Sequence, residues 1–375
     1  MKPKILYLNF CYDVGINPPN GIFRKILNQK QAFEALGYDV VLTAFDCRED
    51  SFSILGTSYK MFHNDYCKIL RPRYRYKIVS EYLKENKIDI LYIRSMFGTG
   101  PSLLRLLKEV KKNNLQTKII FEIPTYPYDN EVKKINSEFV SLQIGKIFRR
   151  FLYKYIDYIV TFTRDEKIFN IECINISNGI NLEEITERTE HKRTKDKIVF
   201  TSVSAIEEWH GVDRFIKSME AYLQTNTDKL DIIFNVVGPL DKASELIQYT
   251  NSKAVLKDRI VFHGFLTPKE LEKIYNETDI AVGSLGIHRI GLSELQPLKN
   301  REYCAKGLPF IIGFNDIDFE KEPFVYKVKG DESLINISNI ISWYNQLIIS
   351  TKDIRKFSEQ FSWDRQMKKV IDRIK

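Results

Sequence analysis

The sequence predicts an α/β protein built of two doubly wound parallel-sheet domains, and three observations carry that reading. Short apolar runs of strand length alternate with segments of helical period from residue 5 to residue 312, the pattern of a parallel sheet flanked by helices. The alternation occurs twice, on either side of a charged stretch over residues 183–197. A length of 375 residues also suits two domains. With 43% hydrophobic and 28% charged residues, the chain can bury sizeable cores and is not of the disordered class.

The first domain opens on Ile5-Leu6-Tyr7-Leu8, an apolar run of the buried parallel-strand type. A loop holding Gly15, Pro18 and Pro19 follows, and Asn20-Gly21 delivers the chain to a helix. Ile22, Ile26, Phe33 and Leu36 give that helix an apolar stripe, and Gly37 ends it. Val40-Val41-Leu42 is the next strand. The order strand, glycine-containing loop, helix, strand starts a Rossmann-like unit, although no G-x-G-x-x-G is present. Strands are expected at 88–93, 118–122 and 158–162, with helices at 78–85 and 103–111. The run Pro124-Thr125-Tyr126-Pro127-Tyr128-Asp129 is a proline-stiffened loop at the sheet's carboxyl end, where ligands bind.

The second domain repeats the plan. Strands are expected at 198–203, 232–237, 260–262, 280–282 and 310–312, with a helix carrying Val212, Phe215, Ile216 and Met219 on one face. The tail over 357–375 reads as one helix anchored by Trp363. Between the last two strands lies the stretch that concentrates the chemistry, residues 284–309. Pro297 suits the first helical position, nothing from Leu298 to Lys306 breaks a helix, and Gly307 and Pro309 end it. Lys299 and Glu302, three apart, share a face, while Arg289 and Glu294 sit in the loop leading to the N-terminus. Unpaired N–H groups and the positive dipole end make that place an anion site, and carboxylates beside it suit hydroxyl groups. A nucleotide sugar presents both.

Glu294 and Glu302, with seven residues between them, followed by Gly307-Leu308-Pro309, resemble the E-x7-E…G-x-P signature of retaining glycosyltransferase family 4, with its GT-B fold. The resemblance extends through Trp209-His210-Gly211, Val237-Gly238-Pro239, Val261-x-His263-Gly264 and Tyr275-x-x-x-Asp279-Ile280, in the family's order over about half the chain. It implies two Rossmann-like domains facing a central cleft: an acceptor-binding domain over 1–182, a nucleotide-sugar domain over 197–355, and a C-terminal helix over 356–375 crossing back to the first. Ser177-Asn178-Gly179-Ile180 resembles the turn where the second domain begins, and residues 183–197 read as the linker.

The implied activity is retaining transfer of a hexose-type sugar from a nucleotide-diphosphate sugar to a hydroxyl of a glycan acceptor, polyprenyl-diphosphate-linked, in surface polysaccharide synthesis. The resemblance places Glu302 on the ribose, Glu294 on the transferred sugar, and Gly211, Gly238, Gly264 and Leu298 around the donor. Gly21, Glu122, Tyr126 and Asp129 are the acceptor-side candidates. One departure matters. The family's Arg and Lys in the first loop of the second domain fall on Ala205 and His210, and a neutral imidazole is no fixed cation. Charge developing on a leaving diphosphate needs compensation, so Arg289 and Lys299 are expected to supply it alongside Glu294, with His210 as a donor-side contact. Asp316-Ile317-Asp318 fits a metal–diphosphate D-x-D pattern, but so short a pattern is common by chance and hard cations need several oxygen ligands. No metal and no cofactor beyond the donor are expected. His63, His191, His263 and His288 show no metal-ligand spacing. Rival readings are a non-catalytic nucleotide- or glycan-binding module and a same-fold nucleotide-sugar epimerase.

Five scattered cysteines without C-x-x-C argue for a reducing compartment and against a disulfide framework or zinc site. Met1-Lys2-Pro3-Lys4 leads straight into a strand, so no signal peptide is expected, and no apolar run reaches the ~20 residues of a bilayer span. The expected location is cytoplasmic, peripheral on the inner face of the cell membrane. The net charge of +8 is concentrated in two segments where cations alternate with aromatic and aliphatic residues, 68–77 and 146–155. Such segments suit a solvated basic face over core aromatics, then an anionic membrane surface, and last single-stranded nucleic acid. No nucleic-acid partner is expected.

Overall fold

The computed structural model describes residues 2–9, 21–46, 51–54, 57–60, 71–94, 99–128, 137–189, 194, 196–226 and 230–375. They make two compact units. One contains the chain up to Gly179 together with Trp363–Lys375; the other is Ile180–Ser362.

In the first unit, strands β1 (Lys4–Asn9), β2 (Asp39–Asp46), β3 (Ser51–Ile54), β4 (Thr57–Lys60), β5 (Ile90–Arg94), β6 (Lys118–Ile123), β7 (Tyr158–Thr161), β8 (Lys167–Ile168) and β9 (Ile171–Asn175) form one sheet. Their order is β4-β3-β2-β1-β5-β6-β7-β9-β8. The central strands are parallel, as the apolar runs require, because a sheet covered on both faces must be apolar on both. Antiparallel β3, β4 and β8 extend the two edges and escaped the sequence reading, since strands of two to four residues with Ser, Thr and Lys among them lack an apolar run. Helix α1 (Gly21–Ala35) and the C-terminal helix Trp363–Ile374 cover the face bearing Ile5, Tyr7 and Tyr92. Helices α2 (Arg71–Glu85), α3 (Pro101–Asn113) and α4 (Ser137–Phe148), with the 3₁₀ turn Arg149–Lys154, cover the face bearing Leu6, Leu91 and Phe121. In α1, Ile26 and Phe33 are buried as expected, whereas Ile22 is exposed and Phe23 takes the inward position.

The second unit contains β10 (Lys197–Val203), β11 (Asp231–Val237), β12 (Ile260–Gly264), β13 (Ile280–Val282), β14 (Phe310–Ile312) and β15 (Val325–Lys327), all parallel, in the order β12-β11-β10-β13-β14-β15. The last strand was not expected, since Val325-Tyr326-Lys327 lacks the wholly apolar run that marks β13 and β14. Helices α5 (Val212–Thr225), α6 (Ser244–Ser252), α7 (Pro268–Glu277), α8 (Leu298–Ala305), α9 (Ile337–Gln346) and α10 (Thr351–Ser358) belong to this unit. The tail expected as one helix is broken. After α10 comes a 3₁₀ turn, Glu359–Phe361, then Ser362 in extended ψ, then α11 (Trp363–Ile374), whose Trp363 is buried in the first unit's core. Residues 183–189, read as linker, lie on the second unit: Arg188 N donates to Lys306 O, and Thr189 N to Asn276 Oδ1.

Candidate active site

The strand order of the second unit reverses between β10 and β13, and the carboxyl ends of the strands at such a reversal are the usual ligand position in an open α/β sheet. Asp279 fixes the amino end of β13 by accepting from Val199 N and Tyr344 OH. At the other end Tyr303, on α8, accepts from Val203 N and donates to Val282 O, so α8 is pinned across the reversal. The two loops meet through Leu285 N donating to His210 O (2.9 Å) and Gly286 N to Trp209 O (3.2 Å). Gly211 is required there. Its φ is +65°, and a Cβ on it would lie 2.7 Å from Gly286 N. Gly238 is similar, with φ +147° and a Cβ that would fall 2.0 Å from Ser204 O. Gly264 also has a left-handed φ, but its Cβ would meet nothing closer than 3.8 Å.

Helix α8 begins at Leu298, one residue later than expected, with Pro297 as its N-cap (ψ 144°) rather than its first helical residue, and no side chain caps its N–H groups. Leu298 is partly buried against the core below. Lys299 is the unusual residue. Its ammonium is buried without a hydrogen-bond partner, and burial pushes its pKa from 10.5 down to about 7, against a smaller upward pull from Glu302. His210 is close enough to feel that charge. Burial first, and Lys299 second, lower its pKa to about 3, so its imidazole is neutral at pH 7. Its Nδ1 lies 3.4 Å from Glu207 N, and a backbone hydrogen bond to Ala205 partly offsets the downward shift. Ser204 Oγ and Asn300 Oδ1 are also buried without partners. These two polar groups were invisible in the sequence, where Ser and Asn after a strand or in a helix carry no distinguishing pattern.

Arg289 is not the available cation that was expected. Nε and Nη2 donate to Glu332, Nη1 and Nη2 to Asp213, and Nη1 to Glu208 O, at 2.7 to 3.0 Å. All five guanidinium protons are thereby engaged. Glu294 and Glu302 are exposed. Glu294 lies in a short bridge to Asn315, whose Nδ2 donates to it at 3.3 Å. The Asp316-x-Asp318 pair is taken up internally: Arg301 donates to both carboxylates and Asn300 Nδ2 to Asp316 at 2.9 Å. Among the described residues no group of His, Cys, Asp and Glu could hold a metal ion.

The acceptor-side candidates lie in the first unit. Glu122 is fully buried and accepts from Gln29 Nε2 (2.9 Å), Tyr92 OH (2.5 Å) and Arg94, so it holds the core together rather than facing a ligand. Tyr126 is half-buried in ring contact with Tyr128 and Phe169. Gly21 is the first residue of α1. Asp129 lies outside the described residues.

Residues 183–316 match the family described as glycosyl transferases group 1. That stretch spans β10 to the loop after β14 and so contains Glu294, Lys299 and Glu302. Solved structures match over the whole chain. A glycosyltransferase from Rickettsia africae shares 12% identity at a TM-score of 0.65, covering 100% of this chain and 98% of its own. Sucrose-phosphate synthase from Thermosynechococcus elongatus shares 13% at 0.65, covering 100% and 99%. The catalytic domain of starch synthase IV from Arabidopsis thaliana, bound to ADP and acarbose, shares 11% at 0.58, covering 100% and 99%. No curated protein matches. At such identities the likeness establishes the fold, two parallel-sheet Rossmann-like domains of the GT-B class. The group 1 match, a little over a third of the chain, adds support for a glycosyltransferase.

Proposed function

We propose that this protein is a retaining glycosyltransferase that moves a hexose-type sugar from a nucleotide-diphosphate sugar to a hydroxyl of a glycan acceptor. The observation that carries the reading is Lys299, an ammonium buried without a counter-anion hydrogen-bonded to it, beside an uncapped helix end at the strand-order reversal. Such a group is satisfied by an anion brought from outside. The diphosphate is that anion. Lys299 and the α8 N-terminus take its charge, with neutral His210 as a further contact on the donor side. Glu302 accepts from ribose hydroxyls and Glu294 from a hydroxyl of the transferred sugar. Arg289, with its donors engaged, holds the turn at 286–290 in place.

In transfer, the bond from the sugar's anomeric carbon to the diphosphate oxygen breaks. The acceptor oxygen bonds to the same face of that carbon, and its proton passes to the departing phosphate. Charge compensation by Lys299 requires no metal, so turnover is expected to persist in EDTA. The acceptor is a polyprenyl-diphosphate-linked glycan of surface polysaccharide synthesis, reached at the inner face of the cell membrane. Support for that part comes from the basic-aromatic segments.

Release of nucleoside diphosphate from a panel of nucleotide sugars tests the assignment. Release with an acceptor supports transfer; turnover of the donor with none added would point to an epimerase. No turnover, with nucleotide still bound, would leave a binding module.

A further inference from the structure

The two basic-aromatic segments, alike in sequence, differ in structure. In the first, Tyr76 is buried and Tyr74 packs on the core, so its aromatics are structural. In the second, together with the part of α4 that leads into it, Val140, Ile144, Ile147 and Phe151 follow one another at helical spacing and are 52%, 42%, 60% and 43% exposed. The opposite side of the same element, with Leu142, Leu152 and Ile156, is already buried in the core. This element therefore has two apolar faces, and among the described residues only one is covered by its own unit.

We propose that the bare face of α4 and the following 3₁₀ turn docks on an anionic lipid bilayer. The inference rests on the reading that the acceptor is lipid-linked, and it adds which surface meets the membrane. From Phe139 to Ile156 the sequence has no acid and four cations. Arg149 turns inward over the rings of Phe169 and Tyr128, while Arg150 and Lys154 stay exposed. Lys154 Nζ lies 5.4 Å from the Phe151 ring centroid and 6.0 Å from that of Tyr153. Aromatic rings with a cation alongside suit the headgroup boundary, where apolar bodies enter and charges stay among phosphates. Two other occupants fit less well. Single-stranded nucleic acid would use the rings and cations, but Val140, Ile144 and Ile147 offer nothing to stack on a base. A second copy would set these cations against their own counterparts across a two-fold axis.

Co-sedimentation of the full chain with phosphatidylglycerol and with phosphatidylcholine vesicles tests this. Binding to the anionic vesicles is expected, weakening as salt rises from 0.1 M to 0.5 M, and little binding to the zwitterionic ones. Ile147→Glu with Phe151→Glu should lower the vesicle partition coefficient roughly tenfold or more while leaving donor binding unchanged. Equal affinity for both lipids, or wild-type partitioning by the variant, would overturn the proposal. So would a solution dimer that the variant dissociates, or retention on single-stranded nucleic acid with none on vesicles. Vesicle binding without transferase activity would remove the enzymatic reading and leave this surface standing; activity on a soluble acceptor without vesicle binding would do the reverse.

Discussion

Lys299 and Arg301 stand two residues apart on α8, both with their charge out of water, and their surroundings are opposite. Arg301 donates to Asp316 and Asp318 and lies over the rings of Phe319 and Phe361. Among the described residues Lys299 has no acceptor within hydrogen-bond distance. A buried cation whose counter-charges come from the chain is a structural group. One without them must lose its proton or take an anion from outside, and the fall of Lys299 to about 7 records that tension. Arg289 belongs with Arg301, despite its place in the loop that leads to the helix. Nearness to the helix end does not make a cation available; unused donors do.

The largest effect that could break the comparison is on stability. Arg301→Met strands Asp316 and Asp318, and removing one partner of a buried pair costs about 3–5 kcal/mol. Denaturant unfolding is expected to show a loss of that size, and an unshifted midpoint would mean that Arg301 is not the structural member. Next comes Lys299→Met, for which turnover should fall roughly 10²-fold, as for a lost donor to a developing anion. Its thermal midpoint should instead rise, because a buried ammonium without a partner is replaced by an apolar chain of similar length. Full activity in that variant would refute the phosphate role.

Linkage sharpens the same contrast. The folded pKa of Lys299 (about 7) lies below its ordinary 10.5, so between those values the unfolded chain binds more protons. Its contribution therefore makes stability increase with pH across that window, a slope that Lys299→Met removes. Donor affinity should run the other way, weakening by up to about tenfold per pH unit above 7 as the ammonium is lost. Flat donor affinity by calorimetry from pH 6 to 9 would contradict this. Glu302→Ala should weaken donor binding by about tenfold, the value of a hydrogen bond to a charged group. Arg289→Gln is the smallest: at most a few-fold in turnover, with a lower thermal midpoint, since its five donors hold Asp213, Glu332 and Glu208 O rather than a ligand. A loss as large as that of Lys299→Met would return Arg289 to the catalytic set.

Much of this was legible in the residues. Long apolar runs marked the central parallel strands, because a strand covered on both faces cannot alternate with polar residues. Gly238 showed as a turn glycine, Gly211 was singled out by the family resemblance, and Pro297 and Gly307 bounded α8 to within a residue. What escaped were β3, β4, β8, β9 and β15, whose two to five residues leave little period to detect. The break at Ser362 escaped as well, since no proline or glycine marks it.

The chain's own pattern thus determined the two parallel sheets, the helix that opens at Leu298, and a cluster of cations and carboxylates around it. Only the tertiary structure decided which of those charges are already neutralised. Partners such as Asp213, Glu332, Asp316 and Gln29 come from elements 15 to 93 residues away, and no local spacing encodes that distance. A side chain's charge is written in its type; whether that charge is engaged depends on what folding brings within three ångströms of it.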